Sequence, residues 1–443
     1  MTLVQPRRLK SHSRVKMITP SFGLTAVERV LPKLALDFTA ASLDSRITFT
    51  RTTSASNPAA YVNNSGYVTS AADNQPRFDY DPITLVCKGL LIEEDRTNYL
   101  FPSEDISGFT YVNATYAVNQ ETAPDNTLTA DKLILNGGYM RIYVMGITSD
   151  STTVFSGFFK AAGVDQIRIE HIGSVGSSGR RVDFNLSTGQ VVAQSSIGSP
   201  GGSTGFAQII PYPNGWYKLV VGADPASTGN TFRQVFVYGL NYTPNGVIGL
   251  YTWGLQVELG SFATSYIPTT TTALTRSADV ATITGSNFSN FWQAGRGGVL
   301  VRALPSTVSG TRPLVQFDDA TADNIIALRG NTTNPELYIR SGGVDQATID
   351  AGTISAAAYR LAGTWAAGNA AASVNSGAAV LGAPGAIPAA TQARLGSDGT
   401  NYLNGHLQAL EYYDERVLNA ELQRLSSTAG SRSMIQSILH PVM

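Results

Sequence analysis

The chain has 443 residues, 43% hydrophobic and only 14% charged, against about 25% charged in an average soluble domain. A net charge of −1 argues against a dedicated nucleic-acid binder, and the absence of any run of about 18 apolar residues predicts no membrane insertion. The lone cysteine, Cys87, rules out an intrachain disulfide and a cysteine-built zinc site, and the four histidines lie far apart, without metal-ligand spacing.

The charge is uneven along the chain. Positions 1–33 carry Arg7, Arg8, Lys10, Arg14, Lys16, Arg29 and Lys33 against Glu28 alone, whereas positions 34–443 hold 24 basic and 31 acidic residues. Pro20, Gly23, Glu28, Arg29 and Pro32 interrupt any apolar core of the kind a secretory signal needs. Residues 1–36 therefore read as an extended basic arm. Such an arm is either a solvated tail or an anchor on an acidic partner, and in the second case Arg7, Arg8, Lys10, Arg14 and Lys16 are the anchoring residues.

Beyond the arm, short β-type runs bounded by Gly, Asn, Asp, Pro and Ser recur, which predicts an all-β protein of two antiparallel β-sandwich domains. Residues 37–100 form a turn-rich leader expected to pack on a neighbour. In it, RITFTR alternates Ile47 and Phe49 with Thr48 and Thr50. Residues 101–284 carry the clearest strands. IRIEHI sets Ile167 and Ile169 against Arg168 and Glu170, and DFNLSTGQVVA is two strands joined at Ser187-Thr188-Gly189. WYKLVVG puts Tyr217, Leu219 and Val221 on one face. QVFVYGL is apolar on both faces, as in a central strand. LYTWGLQVE alternates Tyr251, Trp253, Leu255 and Val257 with Thr252, Gly254, Gln256 and Glu258. Residues 285–430 make a second β-rich unit that ends in a helix over RVLNAELQRLS. Asn419 is its expected N-cap, and Leu418, Leu422 and Leu425 share a face. Residues 431–443 are a C-terminal tail. No heptads predict a coiled-coil stalk.

Two groups of motifs carry a family resemblance. RITFTR, QPRFDYDPIT, KGLLIEEDRTNYL with the following Ser103-Glu104-Asp105, YPNGWYKL, GLYTWGLQVELGSFATSYIPT and LTRSADVATI occur in that order over roughly residues 37–284. The set resembles virion structural proteins of tailed bacteriophages, of the head fibre or head spike type, which in this region resemble carbohydrate-binding jelly rolls. GSDGTNYLNGHLQALEYYDERVLNAELQRLS resembles the end of laminin-G or concanavalin A-like domains. The resemblance implies a non-enzymatic, virion-located capsid-decorating appendage assembled in the host cytoplasm, homo-oligomeric and by analogy trimeric. It implies anchoring to capsid or other virion proteins through the arm and contact with host-surface glycans. A tail fibre or tailspike receptor binder is the alternative, followed by a polysaccharide depolymerase. Fold alone discriminates poorly among these functions.

The search for chemistry yields few candidates. Glu93, Glu94 and Asp95 are consecutive, and a glycosidase needs two carboxyls about 5–9.5 Å apart. The plainer reading is a charged strand end pairing locally with Arg96. Asp318, Asp319 and Asp323 are an oxygen-rich loop of the kind calcium uses, without EF-hand spacing, and the plainer reading is a solvated turn. Strand alternation turns Trp216 away from Tyr217, Leu219 and Val221 and puts it on the face of Lys218. This makes Trp216 with Lys218 the candidate carbohydrate platform, because an exposed indole offers a flat apolar surface with a polar edge. The plainer reading puts Trp216 in the core and Tyr217 outward, since the preceding PYPNG turn can reset the register. Trp253, His171, His406 and Cys87 read as buried structural residues. No cofactor or resident metal is expected.

Overall fold

The computed structural model describes residues 31–51, 59–147, 151–173, 178–198, 205–223 and 232–427. The five anchoring cations, Arg7, Arg8, Lys10, Arg14 and Lys16, lie outside the described residues, as does the 431–443 tail. The protein is all-β, with two antiparallel sandwiches. Among the described residues no helix is long and apolar enough to cross a membrane.

The first sandwich is the jelly-roll unit. Nine of its ten strands form one hydrogen-bonded path, and the tenth, Thr110–Glu121, pairs off that path with Ala130–Met145. The sheet folds back over a core of Leu133, Ile142, Phe155, Ile169, Leu219, Val237 and Val257, among others. The long strand Ala130–Met145 makes the fold-back. Its first half pairs with Gly249–Leu259 and its second half with Phe232–Leu240, so one strand serves both layers. Phe232–Leu240 is central, as its composition predicts, lying between Ala130–Met145 and Gln166–Gly173.

The second sandwich packs an 8-stranded sheet on a 7-stranded sheet. Their shared core includes Val301, Phe317, Leu328, Leu361, Trp365 and Tyr412. Strands of the turn-rich leader, and one from residues 34–37 that the sequence placed at the end of the arm, lie inside these two sheets. Leu34–Asp37 and Cys87–Ile92 both pair with the last strand, Gly405–Tyr413, and Thr48–Thr50 pairs with Val280–Thr284. Val280–Thr284, which by sequence closes the jelly-roll unit, pairs on its other edge with Gln392–Leu395 of the second sandwich. The jelly roll is thus inserted between early and late strands of its neighbour. Lys33 docks here as well. Its N–H donates to Tyr412 O at 2.8 Å, and its Nζ lies 3.3 Å from Asp414.

Two local expectations are corrected. Gly254 has φ +61°, and the register shifts opposite it between Ser156 and Phe158. This bulge resets the alternation, so Trp253 packs in a small cluster with Phe158 while Leu255 and Val257 face the main core. The terminal helix spans Asn419–Leu425 with Leu418, not Asn419, at its N-cap. Asn419 is the first helical residue, and its Oδ1 accepts from Arg416 Nη2 at 2.7 Å. Leu418 is left exposed, while Leu422 is buried and Leu425 half-buried.

Candidate functional site

The residues of the first resemblance converge on the junction between the sandwiches. Asp279 accepts from Arg51 Nη1 at 2.9 Å and from Arg77 Nη2, and it caps the N–H of Glu93 at 2.9 Å. Glu93 pairs with Arg77 at 2.9 Å and Arg276 at 3.4 Å, and accepts from the N–H and Oγ of Ser265. Glu94 instead holds Arg96 and Asn404. Ser103 Oγ bonds the Tyr266 hydroxyl at 2.6 Å, and Glu258 accepts from Thr264 N–H at 3.0 Å. The motifs therefore build a buried ionic junction. Burial pushes the Glu93 carboxyl up, and the Arg276 and Arg77 guanidiniums overcome that and hold it down to about 2.

The candidate platform is corrected at this junction. Trp216 and Lys218 do share a face, as the alternation predicts, but that face is covered. Trp216 is 1% exposed, packed among Ala60, Val68, Ala123, Phe158 and Tyr266, and its Nε1 donates to Thr122 O at 3.0 Å. The leader hairpin formed by Ala59–Val62 and Val68–Ala71 brings Ala60 and Val68 onto the jelly roll and closes what would otherwise be solvent-facing. Lys218 donates to Thr264 O at 3.1 Å and lies 6.0 Å from the Phe158 ring centroid.

Lys218 lines a cleft of about 570 Å³ between the hairpin, the jelly roll and the second sandwich. The cleft also holds Asp79, Lys88 and His406. His406 Nε2 lies 2.9 Å from Asp79 Oδ2, and Lys88 closes on the same carboxylate. Burial pushes the Asp79 carboxyl up, but Lys88 and His406 outweigh it and hold it well below the usual carboxylate range. A glycoside hydrolase needs one carboxyl that stays protonated near neutral pH, and the carboxyls of Asp79 and Glu93 are held in the opposite sense. Burial does push Glu104 and Asp131 up, yet each is tied into the fold. Glu104 accepts from the Tyr266 hydroxyl, and Asp131 accepts from the N–H groups of Ile106 and Asn119.

The other sequence candidates have structural duties. Asp318 is buried and accepts from Gln316, Gln392 and Arg394 side chains and from Ala320 N–H, while Asp319 accepts from Thr321 and Asn324. Among the described residues no group of three or more His, Cys, Asp or Glu could hold a metal ion. His171 is enclosed between Thr153 Oγ1 at 3.1 Å and Val221 O at 3.2 Å. Cys87 is half-buried and free.

What the sequence reading missed is an aromatic face on the outer side of the jelly roll. On Ala130–Met145, the residues Met140, Ile142 and Val144 enter the core, so Tyr139, Arg141, Tyr143 and Met145 point outward. Register sets Phe232, Phe236 and Tyr238 beside them. Tyr139 lies 5.5 Å from Phe236 and 5.0 Å from Tyr238, and Tyr143 lies 5.8 Å from Phe232 at 65°. Tyr143 is 44% exposed and Met145 61%. The guanidinium of Arg141 sits in the middle, 4.5 Å from the Tyr143 centroid and 5.9 Å from that of Phe236. The signal was present as alternation in YMRIYVM and FRQVFVY. It was masked because aromatic residues on both faces of a strand look the same as a strand buried on both sides.

No known protein family and no curated protein matches the chain. Among solved structures, CBM40 of Ruminococcus gnavus IT-sialidase, bound to α2,3 sialyllactose, is 12% identical. That match covers 32% of this chain and 87% of the module, with TM-score 0.29. Domains LG4-5 of mouse laminin α1 are 8% identical over 69% of this chain and 88% of theirs, with TM-score 0.21. Trypanosoma rangeli sialidase is 11% identical over 67% of this chain and 60% of its own, with TM-score 0.26.

Proposed function

We propose that the chain is a non-enzymatic structural appendage of a tailed-bacteriophage particle that grips host-surface glycans through the jelly-roll aromatic face. The particle half of this reading is supported by the ordered motifs of residues 37–284, by their use as a buried junction that braces one sandwich against the other, and by the basic arm that precedes them. In it, the arm anchors the chain on capsid or other virion proteins, and the chain is a homo-oligomer, trimeric by analogy. The glycan half is carried by one observation: half-exposed aromatic rings on a rigid sheet around a guanidinium. Flat rings with polar edges suit the C–H faces and hydroxyls of sugars, and weak single sites gain by about 10²–10⁴ when many copies engage together. The pinned carboxylates of the cleft support a binding role over hydrolysis.

Two experiments test the two halves. Phage grown with a chain lacking residues 2–30 lose the protein from purified particles if the arm anchors it, and undiminished incorporation removes the anchor. An antibody label on intact particles falls on the head in this reading, while label at the tail favours the receptor-binding alternative. The purified chain on an array of host-surface glycans gives binding that Tyr143→Ala weakens. Absence of binding, or binding indifferent to Tyr143, removes the glycan half.

A further inference from the structure

We infer that the sugar taken by the aromatic face carries a carboxylate, and that Arg141 is the residue that reads it; this rests on the glycan-binding reading of that face. Among the described residues, the charged side chains near the aromatic rings are matched in pairs, with Arg141 the exception. Arg168 meets Asp183 through two hydrogen bonds of 2.7 and 2.8 Å, and Arg181 meets Glu170 at 2.7 Å. Arg141 has no hydrogen-bond acceptor and no carboxylate partner among the described residues, and is held only by the rings of Tyr143 and Phe236. Its Nε is buried without a partner. A guanidinium steadied by stacking, with its donors untaken, is pre-organised to meet a planar anion through two parallel hydrogen bonds. A carboxylate fits that fork, and the flanking rings fit the sugar ring that bears it. Because the two neighbouring ion pairs neutralise themselves, Arg141 is, among the described residues, a positive charge left over on this face, which favours an acidic over a neutral ligand. Register places Thr110 of the edge strand beside Arg141, on the side away from Phe236. Its hydroxyl is a further polar group within the same patch.

The test uses the full chain and paired probes. Uronate- and sialate-bearing oligosaccharides are compared with the same oligosaccharides after reduction of the carboxyl to a primary alcohol, by titration at low and at high salt. The expected result is at least about tenfold tighter binding of one acidic probe than of its reduced twin, with the difference shrinking as salt rises. Arg141→Met keeps the aliphatic stem over the rings and is expected to abolish the preference, while Arg141→Lys restores only part of it because the fork is lost. Equal affinity for acidic and reduced probes in the unmodified chain overturns the inference without needing a variant, as does a preference that survives Arg141→Met. If neutral sugars bind in a Tyr143-dependent way with no carboxyl preference, the glycan-binding face stands and the inference about Arg141 falls. If no probe of either kind binds, both fall.

Discussion

The Arg51 guanidinium donates to the Asp279 carboxylate at 2.9 Å across 228 positions of sequence, with both side chains fully enclosed. Arg51 follows the strand Thr48–Thr50, and Asp279 immediately precedes Val280–Thr284, which pairs with it. Asp279 also takes Arg77 and the N–H of Glu93. One carboxylate thus ties together three segments on which both sandwiches rest.

Asp279→Ala removes the anion and leaves two buried guanidiniums short of a partner. Breaking a buried pair from one side costs about 3–5 kcal/mol. We predict a loss of that size in chemical or thermal unfolding. A change below about 1 kcal/mol would mean the junction contributes little to holding the sandwiches.

Trp216→Ala distinguishes a buried indole from a surface platform. An exposed residue changes stability by about 0.5 kcal/mol or less, whereas truncating an enclosed tryptophan costs about 3–5 kcal/mol. The enclosure by Ala60, Val68 and Tyr266 and the bond to Thr122 predict the larger value, measured by urea unfolding.

Acid should weaken the fold in two stages. Burial lowers the His171 pKa to about 4, from an ordinary value near 6.5. The unfolded chain then binds the proton first, so the stability from neutral His171 is present above about pH 6.5 and is lost as pH falls toward 4, by roughly 3 kcal/mol. Glu93, held down to about 2, contributes stability that is present above about pH 4.5 and lost as pH falls toward 2. Stability measured against pH should therefore decline from 6.5 downward. His406, whose pKa burial also lowers, adds to the upper stage, so His171→Gln should shrink that stage and leave the lower one, and an unchanged upper stage in that variant would contradict this account of His171.

The sequence made strands legible wherever one face met a core. The alternation of Ile167 with Ile169, of Leu219 with Val221 and of Ile47 with Phe49 appears as buried faces. Alternation names two faces but not what covers the second. For Trp216 the covering hairpin begins more than 140 positions upstream, so no local pattern reports it. Gly254 shows a second limit, since a single positive-φ residue shifts the faces of everything beyond it. The aromatic face escaped for the opposite reason. Phe236 and Tyr238 look like core residues by type, and only their place on the outward face of a central strand leaves them half-exposed. Arg141 has no distinguishing sequence context at all. What marks it is the absence of a partner where neighbouring arginines have one.

The measurement that bears most directly on the account is the affinity of the purified chain for host-surface polysaccharide, before and after Tyr143→Ala. The substitution lies on an exposed face and should change unfolding free energy by less than about 1 kcal/mol. The account predicts unaltered folding with binding weakened about tenfold or more. Full affinity retained by the folded variant would contradict it.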